Sequence, residues 1–291
     1  MNAGGNVINR VILYLKMIKF SHSVFALPFA FTGAIMAASG IPSSAQVFWI
    51  VVAMVGARSG AMGMNRIIDR HIDRENPRTQ NREIPSGKIS VFDASVFTAA
   101  SLLLLIAAAY KLNPLCFKLA PVAIIVLALY SYTKRFTWMS HFILGIAISA
   151  APLGAWIAVR GSLDPAILCL SLAVVFWLAG FDVLYALQDL EFDRTHGLYS
   201  VPQRFGIKKA LLLSRVFHVI AVGLLIFTGF ILRLGIFYWT GMAVVLILFF
   251  YEHSLVKSDD LSKLNMAFFN MNGYISVTVF LFTLLEYVVS S

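Results

Sequence analysis

Nine apolar stretches, each close to the ~20 residues that a helix needs to cross ~30 Å of hydrocarbon, dominate this chain of 291 residues. They fall near 20–39, 46–66, 91–110, 114–132, 138–158, 165–187, 210–231, 234–251 and 267–288. The split between the third and fourth rests on Lys111-Leu112-Asn113-Pro114. Composition agrees: 59% of the residues are hydrophobic and 13% charged, against about 45–50% and 25% in a soluble domain. Water-soluble, disordered and disulfide-rich secreted classes are excluded on those figures. Cys116 and Cys169 both lie in apolar runs and read as buried thiols. The expected fold is an all-α polytopic membrane protein, nine transmembrane helices in one bundle with cytoplasmic caps, as a single domain over 1–291.

The net charge of +9 follows the membrane rather than a nucleic acid. Basic residues concentrate at the N-terminus and after the second, fourth, sixth and eighth spans. Lys111, Lys118, Arg160 and Arg233 fall on the other side, and Arg58 lies inside a span. By the positive-inside rule the N-terminus is cytoplasmic and Ser291 lies outside. The polar start, Met1–Asn9, has no small-residue cleavage site after it and does not read as a signal peptide. The expected location is the cell inner membrane, multi-pass.

Two cytoplasmic loops, His71–Ser90 and Glu191–Lys209, are dense in charge and turn formers, whereas the outer loops are short and nearly uncharged. An internal echo links them. Asn65 and Asp69 recur as Asp189 and Asp193, and Arg58 maps onto Asp182, each shifted by 124 residues. The spans involved have the same parity, so the repeat is parallel.

The chemistry-bearing pattern is Asn65-x3-Asp69-x3-Asp73 at the end of the second span and Asp182-x6-Asp189-x3-Asp193 at the end of the sixth. Four- and seven-residue steps return to nearly the same helical face, so each set reads as one stripe of oxygen ligands, with Tyr185 beside the second. Carboxylates so spaced repel one another and are expensive to desolvate near lipid. Jointly held divalent cations remove that conflict, and Mg2+ suits oxygen ligands and bridges carboxylates to phosphates. Arg66, Arg70, Arg74, Arg78, Arg82 and Lys88 would suit a diphosphate. The plainer alternative pairs these acids with the interleaved arginines of a solvated juxtamembrane helix. Two matching stripes on equivalent helices weigh against it.

Asn65-x3-Asp69-x3-Asp73 with Asp182-x2-Tyr185-x3-Asp189-x3-Asp193 resembles the two aspartate-rich motifs of the UbiA family of intramembrane aromatic prenyltransferases. Asn76-Pro77-Arg78-Thr79 with Arg82 and Pro85-Ser86-Gly87-Lys88 is similar to the family's first cytoplasmic loop. Tyr130-x-Tyr132-Thr133-Lys134-Arg135 is similar to its turn after the fourth span. The resemblance implies that Asn65, Asp69, Asp73, Asp189 and Asp193 hold two Mg2+ ions on a prenyl diphosphate, with Arg82 and Lys134 on its phosphates. Asp182 and Tyr130 would stand by the reacting carbon, and Arg58 would take the carboxylate of the aromatic acceptor. One departure bears on that acceptor. Arg82-Glu83-Ile84-Pro85 stands where many 4-hydroxybenzoate enzymes have arginine-proline-leucine-proline, and it is similar to a branch acting on acceptors such as dihydroxynaphthoate.

The expected reaction is therefore Mg2+-dependent transfer of a polyprenyl group to 4-hydroxybenzoate or a close analogue such as 1,4-dihydroxy-6-naphthoate, in quinone biosynthesis. Its partners are the two substrates and the lipid bilayer, with no nucleic acid and no obligate protein partner. Arg58 has a structural alternative, pairing with Asp182. A different superfamily member would act on haem, chlorophyllide or homogentisate. A rival from another class is a transporter or channel using intramembrane acids, which would put charges near mid-membrane. The histidines, His22 and His141 among them, show no zinc-type spacing.

Overall fold

The computed structural model describes residues 3–19 and 23–289, and every regular element among them is helical. The elements are α1 (Ala3–Met17), α2 (Ser23–Ala38), α3 (Ser44–Ile68), α4 (Arg70–Glu75), α5 (Val91–Leu112), α6 (Pro114–Thr133), α7 (Ser140–Arg160) and α8 (Pro165–Ala186). They continue as α9 (Leu190–Thr195), α10 (Val201–Leu232), α11 (Ile236–Leu255) and α12 (Asn272–Val289). Among the described residues eight helices are long and apolar enough to cross a membrane. A shorter apolar stretch, Phe25–Ala38 in α2, matches the remaining predicted span. That span was placed from 20, and residues 20–22, His22 included, lie outside the described residues, as does Ser291. The protein is an all-α polytopic membrane protein.

The disputed split between α5 and α6 is made by one side chain. Asn113 ends α5 and caps α6, its Oδ1 accepting the Cys116 N–H at 2.9 Å while Pro114 starts the new helix. Its Nδ2 also donates to the Ile157 carbonyl at 2.7 Å, tying the turn to α7.

α8 is the innermost helix, packed between α7 and α10. Trp177 and Leu178 on it are nearly inaccessible, and Trp177 lies 5.0 Å from Phe181 and 4.8 Å from Phe29 of α2, ring centre to ring centre. Close approach elsewhere depends on small residues. A Cβ on Gly56 would stand 2.7 Å from the Leu105 backbone nitrogen, and Gly60 and Gly63 face Leu102 and Thr98 of α5 as tightly.

The two charged loops are more ordered than their turn-forming composition implies. α3 stops at Ile68, Asp69 leaves the helix (φ −87°, ψ 1°), and α4 restarts at Arg70. α8 likewise passes through a 3-10 turn, Leu187–Asp189, into α9. α10 starts at Val201 instead of near 210, because Ser200 caps it by accepting the Gln203 N–H at 3.3 Å. Gly206 (φ 77°, ψ 168°) then breaks it, a backbone conformation that side chains resist.

Candidate active site

Both acidic motifs sit where a long helix gives way to a short one, so neither forms the single straight stripe that spacing implied. The breaks let each carboxylate meet a different partner. Asp69 and Asp73 are nearly fully buried. Lys134 Nζ stands 2.6 Å from Asp69 Oδ2 and Arg135 Nη2 2.9 Å from Oδ1, both reaching in from the end of α6. Asn65 adds a bond from Nδ2 to Asp69 Oδ2 at 2.9 Å. Arg82 returns from the first loop to Asp73, its Nη1 at 2.7 and 2.8 Å from the two oxygens. Arg66 approaches Asp73 only to 3.9 Å, and Arg66 Nε donates to the Met17 carbonyl. The acids are neutralised from across the fold, not by the arginines interleaved with them.

The second motif is reached from the first loop. Arg78 Nε donates to Asp189 Oδ1 at 2.8 Å, its Nη2 pairs with Oδ2, and its Nη1 donates to the Tyr185 hydroxyl at 2.7 Å. Asn76 Nδ2 donates to the same Asp189 oxygen at 2.9 Å. Burial opposes the charge on Arg78, but its bonds to Asp189 and Tyr185 outweigh this and hold the guanidinium above its ordinary pKa. Among the described residues the side chain that bonds Asp193 is Ser200, whose Oγ donates at 2.9 Å.

The two cations expected on the phosphates bond the first motif and act electrostatically on the second. Lys134, bonded to Asp69, is close enough for its charge to act on Asp193, and Arg82, bonded to Asp73, acts on Asp189. Tyr130 lies in the field of Asp182, Asp69 and Tyr185. Arg58 does not pair with Asp182. Its Nη2 donates to the Lys19 carbonyl at 3.0 Å, and its buried Nε has no hydrogen-bond partner among the described residues. Asp182 is instead held by His141 Nδ1 at 2.7 Å.

An aromatic run leads inward from this polar end. Tyr185 lies 4.3 Å from Phe268, Phe268 5.4 Å from Phe181, and Phe181 continues to Trp177. A cavity of about 340 Å³ opens beside Tyr185 and Phe268, with Lys19, Gln188 and Asn265 also in its wall. Burial lowers the Lys19 ammonium below its ordinary pKa.

The model of the UbiA prenyltransferase family matches residues 26–274. The chain belongs to that family. Similar family members include a 4-hydroxybenzoate octaprenyltransferase of Coxiella burnetii, 30% identical over 97% of this chain and 99% of that one. The enzyme of the same name from Cupriavidus necator is 28% identical over 97% of this chain and all of its own length. Among solved structures, the apo structure of a UbiA homolog from Aeropyrum pernix K1 is 30% identical. It superposes with a TM-score of 0.81 over 89% of this chain and 95% of its own. A UbiA homolog from Archaeoglobus fulgidus bound to GPP and Mg2+, 22% identical with a TM-score of 0.74 over 94% of this chain and 99% of its own, shares the fold. This UbiA-family chain is a multi-pass protein of the inner membrane.

Several site residues escaped the sequence reading. Lys19 and His141 were not singled out, although a titratable side chain at the edge of a span is a functional candidate by default. Ser200 acts as a single hydrogen-bonding partner, for which no spacing pattern exists, and Asn76, quoted in the first-loop motif, carried no role there.

Proposed function

We propose that this protein transfers a polyprenyl group from an allylic prenyl diphosphate to the ring of an aromatic carboxylic acid, 4-hydroxybenzoate or an analogue such as 1,4-dihydroxy-6-naphthoate, in quinone biosynthesis. The observation that carries this reading is the position of Arg82 and Lys134, each bonded to a first-motif aspartate and each acting on a second-motif aspartate. A dianionic leaving group seated there meets fixed positive charge and oxygen ligands together. The names of the curated relatives point to the same reaction.

The donor set fits Mg2+, being made of oxygens alone: Asn65, Asp69, Asp73, Asp189 and Asp193. Among the described residues no three His, Cys, Asp or Glu side chains converge on one point. Mg2+ takes one or two carboxylates and completes its shell with phosphate and water. When bound, Mg2+ would neutralise the charge that builds on the departing diphosphate.

The remaining work belongs to the chain. Arg82 and Lys134 hold the diphosphate and stabilise it as the C–O bond breaks. Tyr130 and the aromatic run from Tyr185 to Trp177 offer π faces to the allylic cation and keep water from it. The acceptor carboxylate is assigned to Arg58, whose buried and unpartnered Nε is a donor in want of an acceptor. The ring attacks from the carbon beside its hydroxyl, and Asp182 steadies the cation or takes the hydroxyl proton. α2 serves as a ninth span, so that 1–291 forms one domain with N-terminus and active site cytoplasmic and C-terminus outside. Product formation from prenyl diphosphate and acceptor by purified protein tests the reading, and its absence with both substrates intact overturns it.

A further inference from the structure

His141 is the second residue of α7, almost fully buried, and its two ring nitrogens face different partners. The Val201 backbone N–H donates to Nε2 at 3.2 Å, and a backbone amide nitrogen can only donate. Nε2 therefore carries the lone pair, and the proton of the neutral ring resides on Nδ1. From there the ring donates to Asp182 Oδ2 at 2.7 Å. Two bonds fix the tautomer and the ring plane together. Asp182 Oδ1 has no hydrogen bond among the described residues, and the side chain is partly exposed.

Val201 belongs to a strap, residues 198–205, that is fastened at several points. Ser200 Oγ donates to Asp193 at 2.9 Å, and the Tyr199 N–H donates to the Lys134 carbonyl at 2.8 Å. Phe205 meets Trp138 edge-on, with ring centres 5.3 Å apart. Through His141 the same strap also reaches the carboxylate of α8. One imidazole thus connects the segment that holds Asp193 and Lys134 to Asp182.

We propose that His141 is a positioning residue, fastening the strap to Asp182 and aiming the Asp182 Oδ1 at the aromatic acceptor. The aiming rests on the prenyl-transfer reading above; the fastening does not. A leucine of similar bulk would fill the space and leave both the Val201 N–H and Asp182 unsatisfied. Glutamine offers one donor and one acceptor on a flexible stem and can serve both partners without titrating.

The test uses the full-length protein in lipid nanodiscs as wild type, His141→Leu and His141→Gln, each first shown to be monodisperse. Backbone hydrogen exchange over 198–205 and steady-state turnover are measured side by side. His141→Leu should speed exchange in the strap about tenfold and lower kcat by about 10- to 100-fold, with the KM for prenyl diphosphate within about twofold of wild type. His141→Gln should recover most of both. Wild-type exchange in His141→Leu overturns the fastening, and wild-type kcat in it overturns the aiming. A His141→Gln variant as impaired as His141→Leu overturns both. If the wild type itself makes no product, the prenyl-transfer reading and the aiming fail together, and exchange alone decides the fastening.

Discussion

The two caps share an Asp-x3-Asp step and differ in how its carboxylates are partnered. In the first, Asp69 and Asp73 are each clamped by a basic side chain at 2.6–2.9 Å, and Asp69 by two. In the second, Asp189 relies on Arg78 from the other cap, while Asp193 and Asp182 are bonded to Ser200 and His141. Both first-cap aspartates have direct ion-pair partners, whereas in the second cap Asp189 has one and Asp193 is bonded to a hydroxyl. A repeat in sequence has acquired unlike partners in its two copies, Lys134, Arg135 and Arg82 on the first and Arg78 on the second.

The comparison breaks first at the metal ligands. Asp69→Asn and Asp193→Asn should each lower turnover by at least about 10²- to 10³-fold in a product assay on folded protein. Retained activity in both would sink the ligand assignment. Stability should separate the two variants. Asp69→Asn strips Lys134 and Arg135 of a buried partner, and since those cations are about a third exposed the cost is about 2–3 kcal/mol, below that of a fully buried pair. Asp193→Asn exchanges one partner for Ser200 with another and should unfold within about 1 kcal/mol of wild type in detergent melts. An equal loss in both would mean that the caps are not finished differently.

Arg78→Ala cuts the charged bridge from the first cap to Asp189 and leaves Asn76 as the remaining hydrogen-bond donor to that carboxylate from the first loop. It should raise the KM for prenyl diphosphate about tenfold, a unit of ~1.4 kcal/mol, by loosening Asp189, while the KM for the acceptor stays within about twofold. Arg58→Ala should do the reverse, raising the acceptor KM selectively. An effect confined to the donor would move the acceptor's carboxylate elsewhere. The smallest effect belongs to Ser200→Ala, which removes a helix cap for about 1 kcal/mol and should show as faster proteolysis within 191–209.

Much of this was legible in the residues. Hydropathy located every long apolar helix because a span of about 20 residues leaves a signal that no soluble element imitates. The aspartate motifs were legible as well, since carboxylates at a lipid boundary are costly enough to need a reason. Partner identity was not. Arg78 reaches Asp189 across 111 residues and His141 reaches Asp182 across 41, and no local pattern encodes which distant side chain fills a gap. The caps read as loops because turn-forming residues such as Ser200 also start helices, and only the chain beyond decides which. The alternative pairing of Arg58 with Asp182 rested on both being ionisable and intramembrane, but Arg58 bonds the Lys19 carbonyl instead.

The central claim is that two unlike caps together seat a metal-bridged diphosphate and pass its prenyl group to an aromatic acid. The most direct measurement is mass-spectrometric detection of product from purified protein in detergent. The mixture holds geranyl diphosphate and Mg2+, with 4-hydroxybenzoate and 1,4-dihydroxy-6-naphthoate in competition and a parallel sample in EDTA. A prenylated acid that disappears with EDTA is the predicted result, and the preferred acceptor then names the quinone branch. Undiminished product in EDTA, or none from either acceptor with donor and protein intact, would contradict it.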